Sequence, residues 1–219
     1  MTRNELAHML DHSVLRPEST ETDVRAGIDV VRAWRVGYFC VQPCWVKLAA
    51  GALAEAGAGV VSVVGFPHGA DRAATKVHAA ALAATDGARE IDTVLNIGAL
   101  KSGAHAEAAA DIAAVVRAVP GMPVKVIIET GALSDEEKRL ACRLAVDAGA
   151  AFVKTSTGFH PGGGATVADV QLIRAVVGPQ VGVKASGGIR ALADALAMLA
   201  AGANRIGTSA SVSILSALD

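Results

Sequence analysis

Lys154 ends the apolar run AAFVK, Lys184 ends VGVK, and Asp92 interrupts EIDTVLN, so three ionisable groups sit in stretches that read as buried strands. A free lysine titrates near about 10.4, and bringing it to about 7 stores roughly 4 to 5 kcal/mol at about 1.36 per unit. Burial plus a second ammonium nearby supplies a shift of that size. The neutral amine then attacks an aldehyde and forms a Schiff base. Period-two alternation places Phe152 with Lys154, and Gly182 with Lys184, on one face of each strand, so two amines enter one pocket if those faces point inward. The structural alternative is that each lysine snorkels to solvent or pairs with a carboxylate. Asp92, if buried, needs a partner such as Lys184 or Lys125, and the same carboxylate is placed for proton transfer through water.

The elements that must hold these groups recur with one punctuation. EAGA, TDGA, DAGA and LAAGA each end an alanine-rich helical pattern with a glycine able to take the left-handed conformation, then run into an apolar strand. In order, the pattern predicts a leading helix at Thr2–Leu10 and strands at 11–15, 37–42, 60–66, 89–96, 124–129, around Lys154, 181–184 and 204–207. Each strand is followed by a helix. Thr20 with Asp23, Ser134 with Glu137 and Thr166 with Asp169 read as helix starts, and Asp71 as the cap of the third of these helices. Val77, Ala81 and Ala84, and likewise Leu140, Leu144 and Ala148, fall on single helical faces. Eight alternating units imply a parallel sheet with right-handed crossovers, closed as one (β/α)8 TIM barrel over residues 1–219 with a short extra N-terminal helix. In that architecture the site is built at the C-terminal strand ends. Asp11 and His12, Cys40, Asp92 and Asn96, Glu129, Lys154, Lys184 with Ser186, and Gly207 with Ser209 occupy those positions.

Net charge is −1, with no run of basic residues to neutralise a row of phosphates, so neither nucleic acid nor an anionic membrane is expected as a partner. No apolar stretch reaches about 18 uninterrupted residues, which excludes a membrane-spanning helix. MTRNELAHMLDH carries acids and no apolar export segment, and Cys40, Cys44 and Cys142 are an odd number without a CxxC pair, so a cytoplasmic protein with reduced thiols is expected. His8 and His12 are at helical spacing but lack the further ligands that zinc needs, so no metal is expected. Cys40, near a strand end, is a candidate for attack by electrophilic aldehydes or simply core.

No GxxxxGK occurs, so a phosphate would be held by backbone amides. Gly187-Gly188 opens the helix after strand seven and Gly207-Thr208-Ser209 the one after strand eight, the two loops where barrels commonly bind phosphate; glycines there also serve tight turns. The loop GFHPGGGAT after Lys154 reads either as a cover for the ligand or as a flexible connector.

LDHSVLRP, EIDTVLNIGALKSG, KVIIETGALSDEEK, FVKTSTG and VKASGGIR, in this order over nearly the whole chain, together resemble the deoxyribose-phosphate aldolase family. The resemblance implies a class I aldolase that reversibly cleaves 2-deoxy-D-ribose 5-phosphate to acetaldehyde and D-glyceraldehyde 3-phosphate without metal or other cofactor, as a homodimer. Carried over, Lys154 is similar to the Schiff-base amine, Lys184 to the lysine that depresses its pKa, and Asp92 to the carboxylate that handles protons with it. Gly158, Gly187, Gly188, Arg190, Gly207 and Ser209 resemble the phosphate-binding set. Thr155 falls within the FVKTSTG motif as a substrate-site position, and Asp11 resembles a residue that holds Lys154 or a sugar hydroxyl. His160-Pro161, Thr93 and Ala210 depart from the family pattern, the first and last beside the expected phosphate pocket. The end at Asp219 lacks the tyrosine-ending tail of some members, which leaves water or Asp92 for proton exchange. Two other readings compete: a Schiff-base barrel aldolase for a different aldehyde, phosphorylated or not, and a barrel that only binds a sugar phosphate.

Overall fold

Short runs of β-branched residues flanked by glycine set the strands. GVVSVV (Gly59–Val64) is buried along nearly its whole length, as a strand covered on both faces must be. The computed structural model describes residues 1–218; Asp219, the last residue of the expected domain, lies outside the described residues. Helix α1 (Arg3–His8) leads into β1 (Leu10–Val14), α2 (Glu21–Trp34), β2 (Tyr38–Val41), α3 (Val46–Leu53), β3 (Gly59–Val64), α4 (Ala73–Thr85) and β4 (Glu90–Val94). Then follow α5 (Ile97–Lys101), α6 (His105–Ala118), β5 (Val124–Ile127), α7 (Asp135–Asp147), β6 (Phe152–Lys154), α8 (Val167–Val177), β7 (Gly182–Ser186), α9 (Leu192–Ala200), β8 (Arg205–Thr208) and α10 (Ser211–Ser216). Neighbouring strands pair in parallel, and β8 returns to β1, so the sheet is a closed eight-stranded barrel. The expected (β/α)8 fold with an extra leading helix is the observed one.

Capping chemistry fixes several helix starts. Thr20 with Asp23 and Ser134 with Glu137 form reciprocal capping boxes, and Thr166 accepts from the Asp169 amide. Asp71 does not cap: α4 starts after Arg72 with no side-chain cap. The single helix expected between β4 and β5 is two, because Gly103 takes a φ of 78° and the Ala104 amide donates back to the Ala99 carbonyl, closing α5.

Two helices are also rotated by one residue from the expected phase. On α4 the buried stripe is Lys76, Ala80 and Ala83, with Ala81 exposed; on α7 it is Ala141, Cys142 and Ala145, with Leu140 and Leu144 on the flanks. Small residues meet the sheet, where close approach is rewarded, and larger ones fill the grooves between helices. Lys76 is tolerated there because its Nζ donates to the Val94 carbonyl at 2.8 Å and to Asp111 Oδ2 at 2.6 Å.

The main apolar core lies between barrel and helices. Inside the barrel the register carries one face around the ring: Val63 opposes Asp92, Asp92 opposes Lys125, Lys125 opposes Phe152, and Phe152 opposes Gly182. Lys154 then opposes Lys184, and Lys184 opposes Arg205. Gly182 is needed in this ring, since a Cβ there would sit 2.2 Å from the Phe152 ring. Cys40, Val61 and Val63 form a small separate cluster with Leu15, Tyr38 and Phe66, so β2 and β3 line the lumen with apolar groups and the other strands bring the charges.

Candidate active site

Lys154 is the last residue of β6 and 2 % exposed; Lys184 is the third residue of β7 and fully buried. Both amines donate to Oδ2 of Asp92, Lys154 Nζ at 2.8 Å and Lys184 Nζ at 2.7 Å. The other carboxylate oxygen of Asp92 accepts from Lys125 Nζ at 2.8 Å. The expected juxtaposition of two amines and one aspartate is therefore present. Asp92 pairs with both lysines considered as its partners, and with Lys154 besides.

Asp11 is placed differently from the expectation. It is the second residue of β1, deep in the lumen, where its carboxylate takes a short bond from Lys184 Nζ and one from Arg205 Nη1 at 2.9 Å. It holds the second lysine, not Lys154. His12 points the opposite way, as alternation demands, and its Nδ1 meets the Ser211 hydroxyl at 3.0 Å while the ring stacks on Phe39.

The environment separates the two amines. Burial pushes the Lys154 pKa down, Asp92 pushes it up and Lys184 pushes it down, and the balance lies below the ordinary lysine value. For Lys184, burial is outweighed by Asp11 and Asp92, so its pKa is raised. Burial alone would raise Asp92, but Lys125, Lys154 and Lys184 hold its carboxyl well below the usual range. Asp92 thus stays an anion shared by two amines, Lys184 stays an ammonium, and Lys154 is the amine whose surroundings favour the neutral form. Cys40 faces this cluster, but burial lifts its thiol to about 11, so it lacks the thiolate that attack on an aldehyde requires.

The glycine loops converge above the amines. Gly187 and Gly188 take φ of 91° and 79° just after β7, and Gly158 takes 86° after β6. A Cβ on Gly187 would come within 2.9 Å of the Gly164 Cα and 3.3 Å of the Gly158 Cα, so these loops meet backbone to backbone. The Ala165 amide donates to both the Ser186 and Gly187 carbonyls at 3.1 Å, and the loop 158–164 is docked rather than free-standing. Within it, His160 Nδ1 accepts from the Gly162 amide at 3.0 Å. Gly158, Gly188, Arg190 and Ser209 are exposed around this junction. Gly207 is inside β8 instead of opening a helix; a Cβ there would sit 3.1 Å from Lys184 Cε, so the glycine makes room for that side chain. Thr155 is fully buried, and its hydroxyl is used across strands, donating to the Ser186 carbonyl at 3.2 Å and accepting from the Ser186 amide at 3.1 Å. Glu129 anchors the β6 end by accepting from the Thr157 hydroxyl and amide.

Three charged groups of the lumen escaped the sequence reading as a set. Glu90 receives Lys125 Nζ at 2.5 Å, and Arg205 Nη1 reaches Glu90 Oε2 at 3.2 Å. The Arg205 guanidinium lies 3.6 Å over the Tyr38 ring. Alternation was the available signal: Glu90 is two before Asp92, and Arg205 two before Gly207.

A family profile described as DeoC/LacD family aldolase matches residues 6–216. The chain is 53% identical over 215 residues to deoxyribose-phosphate aldolase 1 of Bacillus licheniformis, covering 98% of this chain and 96% of that one. It is 51% identical to the deoxyribose-phosphate aldolase of Enterococcus faecalis, covering 97% and 96%. Among solved structures, the deoxyribose phosphate aldolase from Aeropyrum pernix, described as a unique tetrameric structure, superposes with a TM-score of 0.91 at 31% identity over 99% of this chain and 92% of that one.

Proposed function

We propose, from the premise that this chain belongs to the DeoC/LacD aldolase family, that it cleaves 2-deoxy-D-ribose 5-phosphate reversibly to acetaldehyde and D-glyceraldehyde 3-phosphate through a Schiff base on Lys154. One observation carries the reading: two buried amines share a single oxygen of Asp92, and only one of them is free to be neutral. The neutral Lys154 amine adds to the open-chain aldehyde, and water leaves to give an iminium. The sugar 3-hydroxyl loses its proton as the C2–C3 bond breaks, glyceraldehyde 3-phosphate departs, and the bonding pair remains as an enamine on Lys154. Protonation at C2 and hydrolysis release acetaldehyde and return the amine.

Asp92 relays these protons between the substrate and the Lys184 ammonium, through water where distance requires. This carboxylate and water complete the exchange. Gly158, Gly187, Gly188, Arg190 and Ser209 serve the phosphate; the backbone junction of Gly158 with Gly187 supports the part of the set that would present amides. In this reading Gly207 acts indirectly, by making room for Lys184, and Thr155 by fixing the β6–β7 junction. Asp11 orients Lys184. A deoxyribose phosphate substrate supports a role in deoxyribonucleotide catabolism. Free Cys40, Cys44 and Cys142 support a reducing, cytoplasmic setting. Assembly is read as a homodimer, in contrast to the tetramer named for the A. pernix protein.

Acetaldehyde with borohydride tests the central claim. A two-carbon mass is expected on the peptide containing Lys154; a label on another lysine, or none, overturns it. Inorganic phosphate should compete with the substrate, and its failure to do so would favour an unphosphorylated aldehyde.

A further inference from the structure

Seven formally charged side chains share the lumen: the cations Lys125, Lys154, Lys184 and Arg205, and the anions Asp11, Glu90 and Asp92. With all of them ionised the set carries one excess positive charge, and it becomes neutral when a single amine releases its proton. Uncompensated charge is costly away from water, so the fold favours the neutral count. The ion pairs show where the odd proton is lost. Lys184 is held by Asp11 and Asp92, Lys125 by Glu90 and Asp92, and Arg205 by Asp11 and Glu90. Among the described residues, Lys154 has one carboxylate partner, Asp92, where every other cation of the set has two. A guanidinium does not deprotonate, so Arg205 is a fixed charge in this count.

We propose that Arg205 and Glu90, which make no contact with Lys154, are positioning residues whose opposite charges set the balance by which Lys154 alone gives up its proton. This rests on the reading of Lys154 as the Schiff-base amine. The groups facing Lys154 are Asp92 from β4, Lys184 from β7 and the protonated Cys40 from β2. Behind them stand Asp11 of β1, Glu90 of β4, Lys125 of β5 and Arg205 of β8 with Tyr38 of β2 against it, while β3 presents Val61 and Val63. Arg205 acts through Asp11 and Lys184. Without its charge the set is already neutral while Lys154 keeps its proton, and Lys154 becomes harder to deprotonate. Without the charge of Glu90 the excess is larger, and Lys154 releases its proton more readily.

The test is the pH dependence of kcat/KM, and of borohydride trapping on Lys154, in Arg205→Met, Glu90→Gln and the double variant. The acid limb should move up by about one pH unit in Arg205→Met, a tenfold loss below it, and down by a similar amount in Glu90→Gln. The double variant restores the count and should return the limb toward that of the parent protein. A purely structural role predicts lower rates with an unmoved limb, or a double variant worse than either single; either result overturns the proposal. If Arg205→Met does not fold, Arg205→Lys keeps the charge and must fold with the parent limb, and Glu90→Gln alone must still move it down; a fixed or rising limb in Glu90→Gln overturns the proposal. The two readings fail separately: a parent label away from Lys154 sinks the Schiff-base assignment, whereas a Lys154 label with limbs that ignore both charges sinks only the role of Arg205 and Glu90.

Discussion

Replacing Lys184 with methionine removes one ammonium and nearly conserves volume. Lys154 and Lys184 bind the same Asp92 oxygen at 2.8 and 2.7 Å, so their charges lie at most about 5.5 Å apart, and at an effective dielectric of about 20 they repel by about 3 kcal/mol. At about 1.36 kcal/mol per unit, losing that repulsion raises the Lys154 pKa by about two units. Below that pKa the neutral amine falls about a hundredfold. The variant should therefore show its acid limb in kcat/KM shifted upward by about two pH units, read by coupled release of glyceraldehyde 3-phosphate, and the rate of borohydride trapping should shift in parallel. Asp92 keeps Lys125 and Lys154 as partners, so the carboxylate is not stranded, although Asp11 retains only Arg205 of its two cations. A folded Lys184→Met protein whose limb stays where it was would refute the electrostatic account and leave Lys184 as a proton carrier only.

Two stability effects are expected as well. His12 is held neutral, with burial lowering its pKa to about 4; because the unfolded chain protonates near about 6.5, stability from this group is fully present above that pH and is lost as pH falls from about 6.5 to about 4, a change of about 3 kcal/mol. Calorimetry should find a flatter acid slope in His12→Gln, and an unchanged slope would contradict this. Gly182→Ala drives a Cβ to 2.2 Å from the Phe152 ring, so thermal unfolding should show a loss of about 1 to 3 kcal/mol; a neutral result would mean the ring has another place to go.

The barrel was legible in the chain because glycine stops, capping residues and β-branched runs are local signals, each read within about ten residues. Helix phase was less so. Ala80 and Ala81 look alike in a chain this rich in alanine, and the strand packed beneath, which is remote in sequence, decides which is buried. Lys154 and Lys184 are legible because alternation predicts a shared face, and Asp92 because a carboxylate interrupts an apolar strand. Arg205 and Glu90 were missed as partners because their contacts join β8 to β4 and depend on the closed ring. Asp11 is legible as a residue near the site, but that it meets Lys184 and Arg205 and not Lys154 follows from its depth along β1, which the inter-strand register decides.

The bond between Asp11 and Arg205 spans 194 positions in sequence and joins the first strand to the last. While the chain is being made, or whenever β8 detaches, that pair is open, the lumen is wet, and Lys154 behaves as an ordinary solvated lysine, protonated at neutral pH. On the proposed role of Lys154, aldehyde reactivity is expected only once the ring has closed and is lost when it opens. An unfinished or damaged copy carries no special amine, and activity cannot return on refolding until β8 has docked on β1.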